Sequence, residues 1–255
     1  MAFNDNPYNN NPYGQQQPQD LFPSLWGTQE DLDRGVASCL ARVFMRMFAA
    51  LLVTTAVSFG ISQSMAGMDF LENNFGIFIG IIILQFIIVL VLSFRVMKMS
   101  PVISNIMFFI YAATMGVTLS VIFIAYDLGT IFQAFAISAL MFGAMAIYGT
   151  ITRRDLTRLG SLCFMGLIGI ILASVLNVLF FSSDMIGIIV NYIGVLVFVG
   201  LTAYDTQRIK RMLAEATEAN QEEAIRKISV IGALILYLDF INLFLKILAI
   251  LGRRR

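Results

Sequence analysis

A chain of 255 residues that is 58% hydrophobic, 13% charged and of formal net charge +1 lacks the composition of a soluble domain, which runs nearer half apolar and about a quarter charged. So small a charge gives no electrostatic reason to bind nucleic acid. Histidine is absent, which excludes Ser-His catalysis, His-ligated zinc, haem held by His and imidazole-based pH sensing.

Residues 1–34 read as a disordered polar tail. MAFNDNPYNNNPYGQQQPQD is rich in Asn, Gln and Pro and repeats Asn-Pro-Tyr at 6–8 and 11–13, a repeat compatible with docking as well as with disorder. It has neither the basic n-region nor the apolar h-region of a cleavable signal. Residues 35–255 read as a transmembrane domain. Apolar runs recur at 43–64, 75–97, 102–126, 130–151, 160–181, 185–207 and 228–251, each long enough for a hydrocarbon core about 30 Å thick. Inside a bilayer the backbone must satisfy its own polar groups, so these runs are helices. The expected fold class is all-α, a polytopic membrane protein with seven transmembrane helices.

Basic residues set the orientation. Arg34, Arg42 and Arg46 lead into the first span; Arg95 and Lys98, then Arg153, Arg154 and Arg158, then Arg208, Lys210, Arg211, Arg226 and Lys227 fill alternate connections. The remaining connections hold Asp69, Glu72, Asp127 and Asp184 without Lys or Arg. The positive-inside rule then places the N-terminus in the cytoplasm. Seven crossings put Gly252 and Arg253–Arg255 outside, against the same rule; a re-entrant last segment is the alternative. The missing targeting sequence and compact loops point to a bacterial plasma membrane. Cys39 and Cys163, near cytoplasmic helix ends, read as reduced packing residues. Small residues four apart, Gly116/Ser120, Ala139/Gly143 and Gly169/Ala173, read as places of close helix approach.

Two aspartates stand out, because an ionisable group within a span costs about 2.5–3.5 kcal/mol on insertion scales and marks a functional candidate. Asp239 lies within LILYLDFINLFLKILAILG, and Asp205 ends an apolar run in VFVGLTAYDTQRIK. Asp205 alone also fits an interfacial carboxylate paired with Arg208. The charged connection between the last two spans is least helical near Asn220, fifteen residues after Asp205 and nineteen before Asp239. At 1.5 Å per residue the two carboxylates lie roughly 22 and 28 Å from that turn, within about one turn of the same level. Asp239, Asn242 and Lys246 follow an i, i+3, i+7 stripe, which Gly232 extends toward the cytoplasm. Lys246 taken singly fits a snorkelling residue. Two carboxylates about 4 Å apart at an effective dielectric near 20 repel by roughly 4 kcal/mol, so the pair is expected to share one proton and exchange it between about pH 6 and 8. Deprotonated, such a pair repels and offers oxygens to a hard cation such as Ca²⁺; protonated, it latches two helices.

TAYDTQRIK on the sixth span and ALILYLDFINLFLKILAILG on the last are joined by SFRVMKMSP, YAATMGVTLSVIF and ALMFGAMAIYGTITRRDLTRLG, all in order over residues 35–252. In this combination the chain resembles the Bax inhibitor-1, or transmembrane Bax inhibitor motif, family. The resemblance implies a seven-helix fold with the last helix central and wrapped by the other six. It also implies a pH-sensitive calcium leak whose sensing pair matches Asp205 and Asp239. Arg95 matches the arginine that partners the sixth-helix aspartate, although it fits a positive-inside anchor equally well. Where some relatives carry a pore-lining glutamate, this chain has Gln85, which weakens any Ca²⁺ site there. No cofactor is expected beyond Ca²⁺ as permeant or bound ion, with Asp205 and Asp239 as its ligands.

No enzymatic activity is expected. Tyr204-Asp205 fits the first motif of an intramembrane aspartyl protease, but the second requires Gly-x-Gly-Asp and here reads Leu236-Tyr237-Leu238-Asp239. The other function to weigh, which the resemblance also brings, is a regulator that binds a membrane-anchored ATP-dependent protease through its N-terminal tail. Expected partners are therefore the lipid bilayer, Ca²⁺ and protons, and such a protease, with no nucleic acid.

Overall fold

The computed structural model describes residues 29–65 and 74–252. The Asn-Pro-Tyr repeats, Asp69, Glu72 and Arg253–Arg255 lie outside the described residues, as does the tail up to residue 28. The chain folds as α1 Gln29–Gln63, α2 Phe75–Arg95, α3 Pro101–Ala125, α4 Leu128–Ile151, α5 Thr157–Leu176, α6 Asp184–Glu218 and α7 Glu222–Leu251. A 3-10 turn, Val96–Lys98, follows α2, and a π-helical turn, Asn177–Phe181, ends α5. All seven helices are long and apolar enough to cross a membrane, and no strand occurs among the described residues. The protein is an all-α, multi-pass integral membrane protein.

Helix starts follow their side chains. Ser100 caps α3 by accepting from the Val102 N–H at 3.3 Å, with Pro101 at the first helical position, where its missing N–H costs nothing. Asp127 caps α4 through the Thr130 N–H at 2.6 Å. Helix α1 begins at Gln29, before the tail boundary at residue 34: Glu30 and Asp31 occupy its first turn, where the helix dipole favours acids.

The connection between α6 and α7 turns at Asn220, whose φ is 51°. The Gln221 N–H bonds the Ala216 carbonyl at 2.9 Å, closing the helix with asparagine in the left-handed position that it tolerates. At 35 residues, α6 is about 52 Å long. Both α6 and α7 therefore extend well past a bilayer core as a continuous hairpin, as the sequence leads one to expect.

Helix α7 is central. Of its membrane-crossing window 56% is buried, against 11% for α5. It packs on α1, α3, α4, α6 and the 3-10 turn after α2. Direct wrapping by all six other helices is not what forms: α2 packs on α3, and α5 chiefly on α6, as an outer layer. Tyr237 pins the centre, with its ring edge-on to Phe108 and Tyr111 and its hydroxyl 2.7 Å from that of Thr54. The Thr54 hydroxyl also reaches the Ala112 carbonyl at 2.9 Å, so α1, α3 and α7 share one buried polar node.

Close approach uses fewer of the expected small residues. A Cβ on Gly116 would sit 2.8 Å from the Thr54 carbonyl oxygen, so α1 and α3 touch there. Gly143 and Gly169, by contrast, have nothing within 4 Å of an added Cβ, and Ala139 is exposed. Among glycines within the helices, the tightest contact is instead Gly149 of α4 against the Ala203 carbonyl of α6.

Basic side chains finish one end of the bundle. Lys210 donates to the Thr150 carbonyl at the end of α4 at 2.9 Å, and Lys227 to Met97 in the 3-10 turn at 2.8 Å. This basic end collects the α2–α3, α4–α5 and α6–α7 connections.

Candidate functional site

Helix α6 lies between α5 and α7, which leaves a cleft over its outer face. The cleft has a volume of about 870 Å³ and is walled by α5, α6 and α7. Along α5 its lining runs from Thr157 to Val175, about 27 Å of helix rise, close to the roughly 30 Å of a hydrocarbon core.

Asp205 and Asp239 both line this cleft. They are 9% and 6% exposed, and the two carboxyl groups are neighbours across the α6–α7 interface. Asp239 Oδ2 is buried without a hydrogen-bond partner among the described residues. The α6–α7 hairpin sets this meeting: its single-residue hinge fixes the level of the facing positions. Arg208, one turn on from Asp205, lines the cleft toward the basic end.

Tyr204 is seated by the absence of a side chain at Gly160. A Cβ there would lie 2.5 Å from the Tyr204 ring, so α5 closes on α6 beside the pair. Cys163, also on α5, is buried and free; a Cβ on Gly200 would reach its sulfur at 2.5 Å.

The stripe on α7 continues beyond the pair. Asn242 lines the cleft and donates to the Leu238 carbonyl at 2.8 Å. Lys246 lines it too, with Nζ 3.5 Å from Asn191 Oδ1 and its stem against Gly194, where a Cβ would come 3.0 Å from Cδ. Lys246 therefore turns into the cleft. Gly232 does not extend the stripe into the cleft; it is buried against the Ile209 side chain.

Two expected site residues lie elsewhere. Arg95 is exposed at the end of α2 and does not line the cleft; α2 packs on α3, so the arginine near Asp205 is Arg208. Gln85 is buried between α2 and α3, donating to the Thr114 carbonyl at 2.7 Å and the Thr118 hydroxyl at 2.6 Å. It ties two helices together rather than lining this path.

Other residues around the site went unread in the sequence. Gln207 accepts from the Leu156 N–H at 3.0 Å and donates to the Arg154 carbonyl at 2.8 Å, fixing the loop that starts α5. Its place two residues after Asp205 in TAYDTQRIK was the available signal. Asn191, a polar residue in an apolar stretch of α6, was the signal for the partner of Lys246. Beside the cleft mouth Asp155 precedes the start of α5: the Thr157 hydroxyl donates to it at 2.6 Å, the Thr157 N–H at 3.0 Å and Arg211 at 3.2 Å. These interactions, the Thr157 hydroxyl foremost, hold its carboxyl below the usual range.

The pair supplies at most four oxygens, fewer than the six to eight that Ca²⁺ takes. Among the described residues no group of three His, Cys, Asp or Glu converges. Two carboxylates alone do not complete a Ca²⁺ coordination shell.

The model of a family described as "Inhibitor of apoptosis-promoting Bax1" matches residues 36–255. The inner membrane protein YbhL of Escherichia coli (strain K12) is 46% identical over 221 residues, covering 87% of this chain and 94% of that protein. An uncharacterized protein of Borreliella burgdorferi is 39% identical over 216 residues, 85% of this chain and 92% of its own length. Another, from Rickettsia prowazekii, is 38% identical over 224 residues, 88% and 92% of the two chains. With a family match over nearly the whole membrane domain, and relatives aligned over most of their length, the chain belongs to the Bax inhibitor family of membrane proteins.

Proposed function

We propose that the protein is a pH-sensitive cation leak, with Ca²⁺ as the permeant ion, gated by the proton shared between Asp205 and Asp239. One observation carries this reading: two buried carboxylates meet within a cleft nearly as long as the bilayer core is thick. With the proton in place the pair bonds α6 to α7. When the proton leaves, two like charges face each other in a poorly solvated site and drive the helices apart. Flux therefore rises with pH. The pair moves a proton and does no covalent chemistry, so the role is not enzymatic. The positive-inside rule puts the basic end and the N-terminus in the cytoplasm, and the likeness to an inner membrane protein of Escherichia coli supports a bacterial inner membrane.

A second reading has its own observation. Helix α1 starts at Gln29, fourteen residues before the apolar run at residue 43, so about 21 Å of helix precedes that run. That arrangement suits a tail presented to a membrane-anchored ATP-dependent protease.

Ca²⁺ flux into proteoliposomes between pH 5 and 8 tests the two together. Wild-type flux is expected to rise through about pH 6–7, and Asp205→Asn or Asp239→Asn to flatten that rise, while deletion of residues 1–28 leaves it unchanged. Three equally tight proteins, or three equally leaky at every pH, contradict the leak. Loss of protease binding on tail deletion, with the aspartate variants still binding, supports the second role.

A further inference from the structure

The cleft is open on the side that faces lipid. Phe164 and Ile171 of α5 line it and are 59% and 53% exposed, so acyl chains lie against its rim. Polar side chains recur along its otherwise apolar lining. Thr157, Ser161 and Arg208 stand at the basic end, Asp205 and Asp239 follow, and Asn242 and Lys246 continue toward the other end. Asp239 to Lys246 is seven residues of α7, a rise of about 10 Å with Asn242 between. No step along this ladder exceeds about two helical turns.

The order of charge is cation, carboxylate pair, cation. A zwitterionic phospholipid headgroup carries a phosphodiester and an ammonium. Its phosphate matches Arg208 at one end and Lys246 at the other, while its ammonium matches the carboxylates between them. A charged group at the bilayer centre is costly unless polar groups meet it along the way; this cleft presents them in register while the tails stay in the bilayer. We propose that the cleft is a groove along which phospholipid headgroups cross between leaflets, the protein thereby letting lipids equilibrate. The proposal is independent of the cation leak. No bond forms or breaks, and lipid moves down its own gradient.

The test uses full-length protein in phosphatidylcholine vesicles with a trace of fluorescent NBD-phosphatidylethanolamine and external dithionite, which bleaches only the outer leaflet. Protein-free vesicles lose about half of the signal. Wild-type vesicles are expected to lose nearly all of it, while NBD-glucose trapped inside stays fluorescent. Ser161→Trp fills the cleft from an exposed position that tolerates bulk, and is expected to slow the second phase at least about tenfold; Lys246→Met is expected to slow it also. Wild-type loss that stops at half overturns the proposal. So does a Ser161→Trp protein as fast as wild type, or bleaching of the trapped dye at the same rate.

Discussion

Asp239 sits buried in a membrane bundle with Asp205 as its neighbour across the α6–α7 interface, and in the function proposed above the two share a proton. The sequence made both residues visible, since a carboxylate in an apolar run is conspicuous and the distance to the Asn220 turn sets its depth. Partners were less legible. Arg95 and Gln85 were placed by analogy of position, yet which helices lie side by side is a tertiary property; with α2 packed on α3, neither faces the pair. Asp155 offers a control at this scale. Its carboxyl lies below the usual range because Thr157 and then Arg211 donate to it. A depressed carboxylate contributes above its unfolded pKa, and that contribution is lost only as pH falls through the folded value. That contact is therefore intact throughout pH 5–8 and supplies no switch there. Asp155→Asn is expected to leave the pH midpoint of Ca²⁺ flux where wild type has it; a moved midpoint assigns the sensing to the α4–α5 loop instead.

Helices were legible as elements because about 20 apolar residues in a bilayer leave the backbone no other choice. The α6–α7 hairpin was legible through a single polar break at Asn220. Which glycines mark contacts was not, since small residues four apart occur on lipid-facing and packed faces alike. Gly143 and Gly149 belong to the same helix, yet Gly149 lies on the Ala203 carbonyl while nothing approaches Gly143. Gly149→Val is thus expected to force α4 from α6 and cost about 1–3 kcal/mol or more through overpacking, read as a lower melting temperature in detergent. Gly143→Val is expected to change it by less than about 0.5 kcal/mol. Equal effects would mean that α4 does not approach α6 at that point.

Across the whole molecule, the buried helix and the loose one define what can move. Helix α7 is fixed to α1 and α3 by Tyr237 and Thr54, and α6 is tied to the α4–α5 loop by Gln207 and Lys210. The face between α6 and α7 turns at Asn220 and carries the two carboxyl groups at mid-depth. In the proposed mechanism a proton shared by Asp205 and Asp239 latches the two helices together. Spin labels at Met185 of α6 and Ala249 of α7, both exposed near the end remote from the hinge, measure the separation directly. The distance is expected to lengthen as the pH of the proteoliposomes is raised from 5 to 8 in otherwise wild-type protein, and to be insensitive to pH once Asp239→Asn is added. A separation that is the same at both pH values without that substitution would contradict the latch.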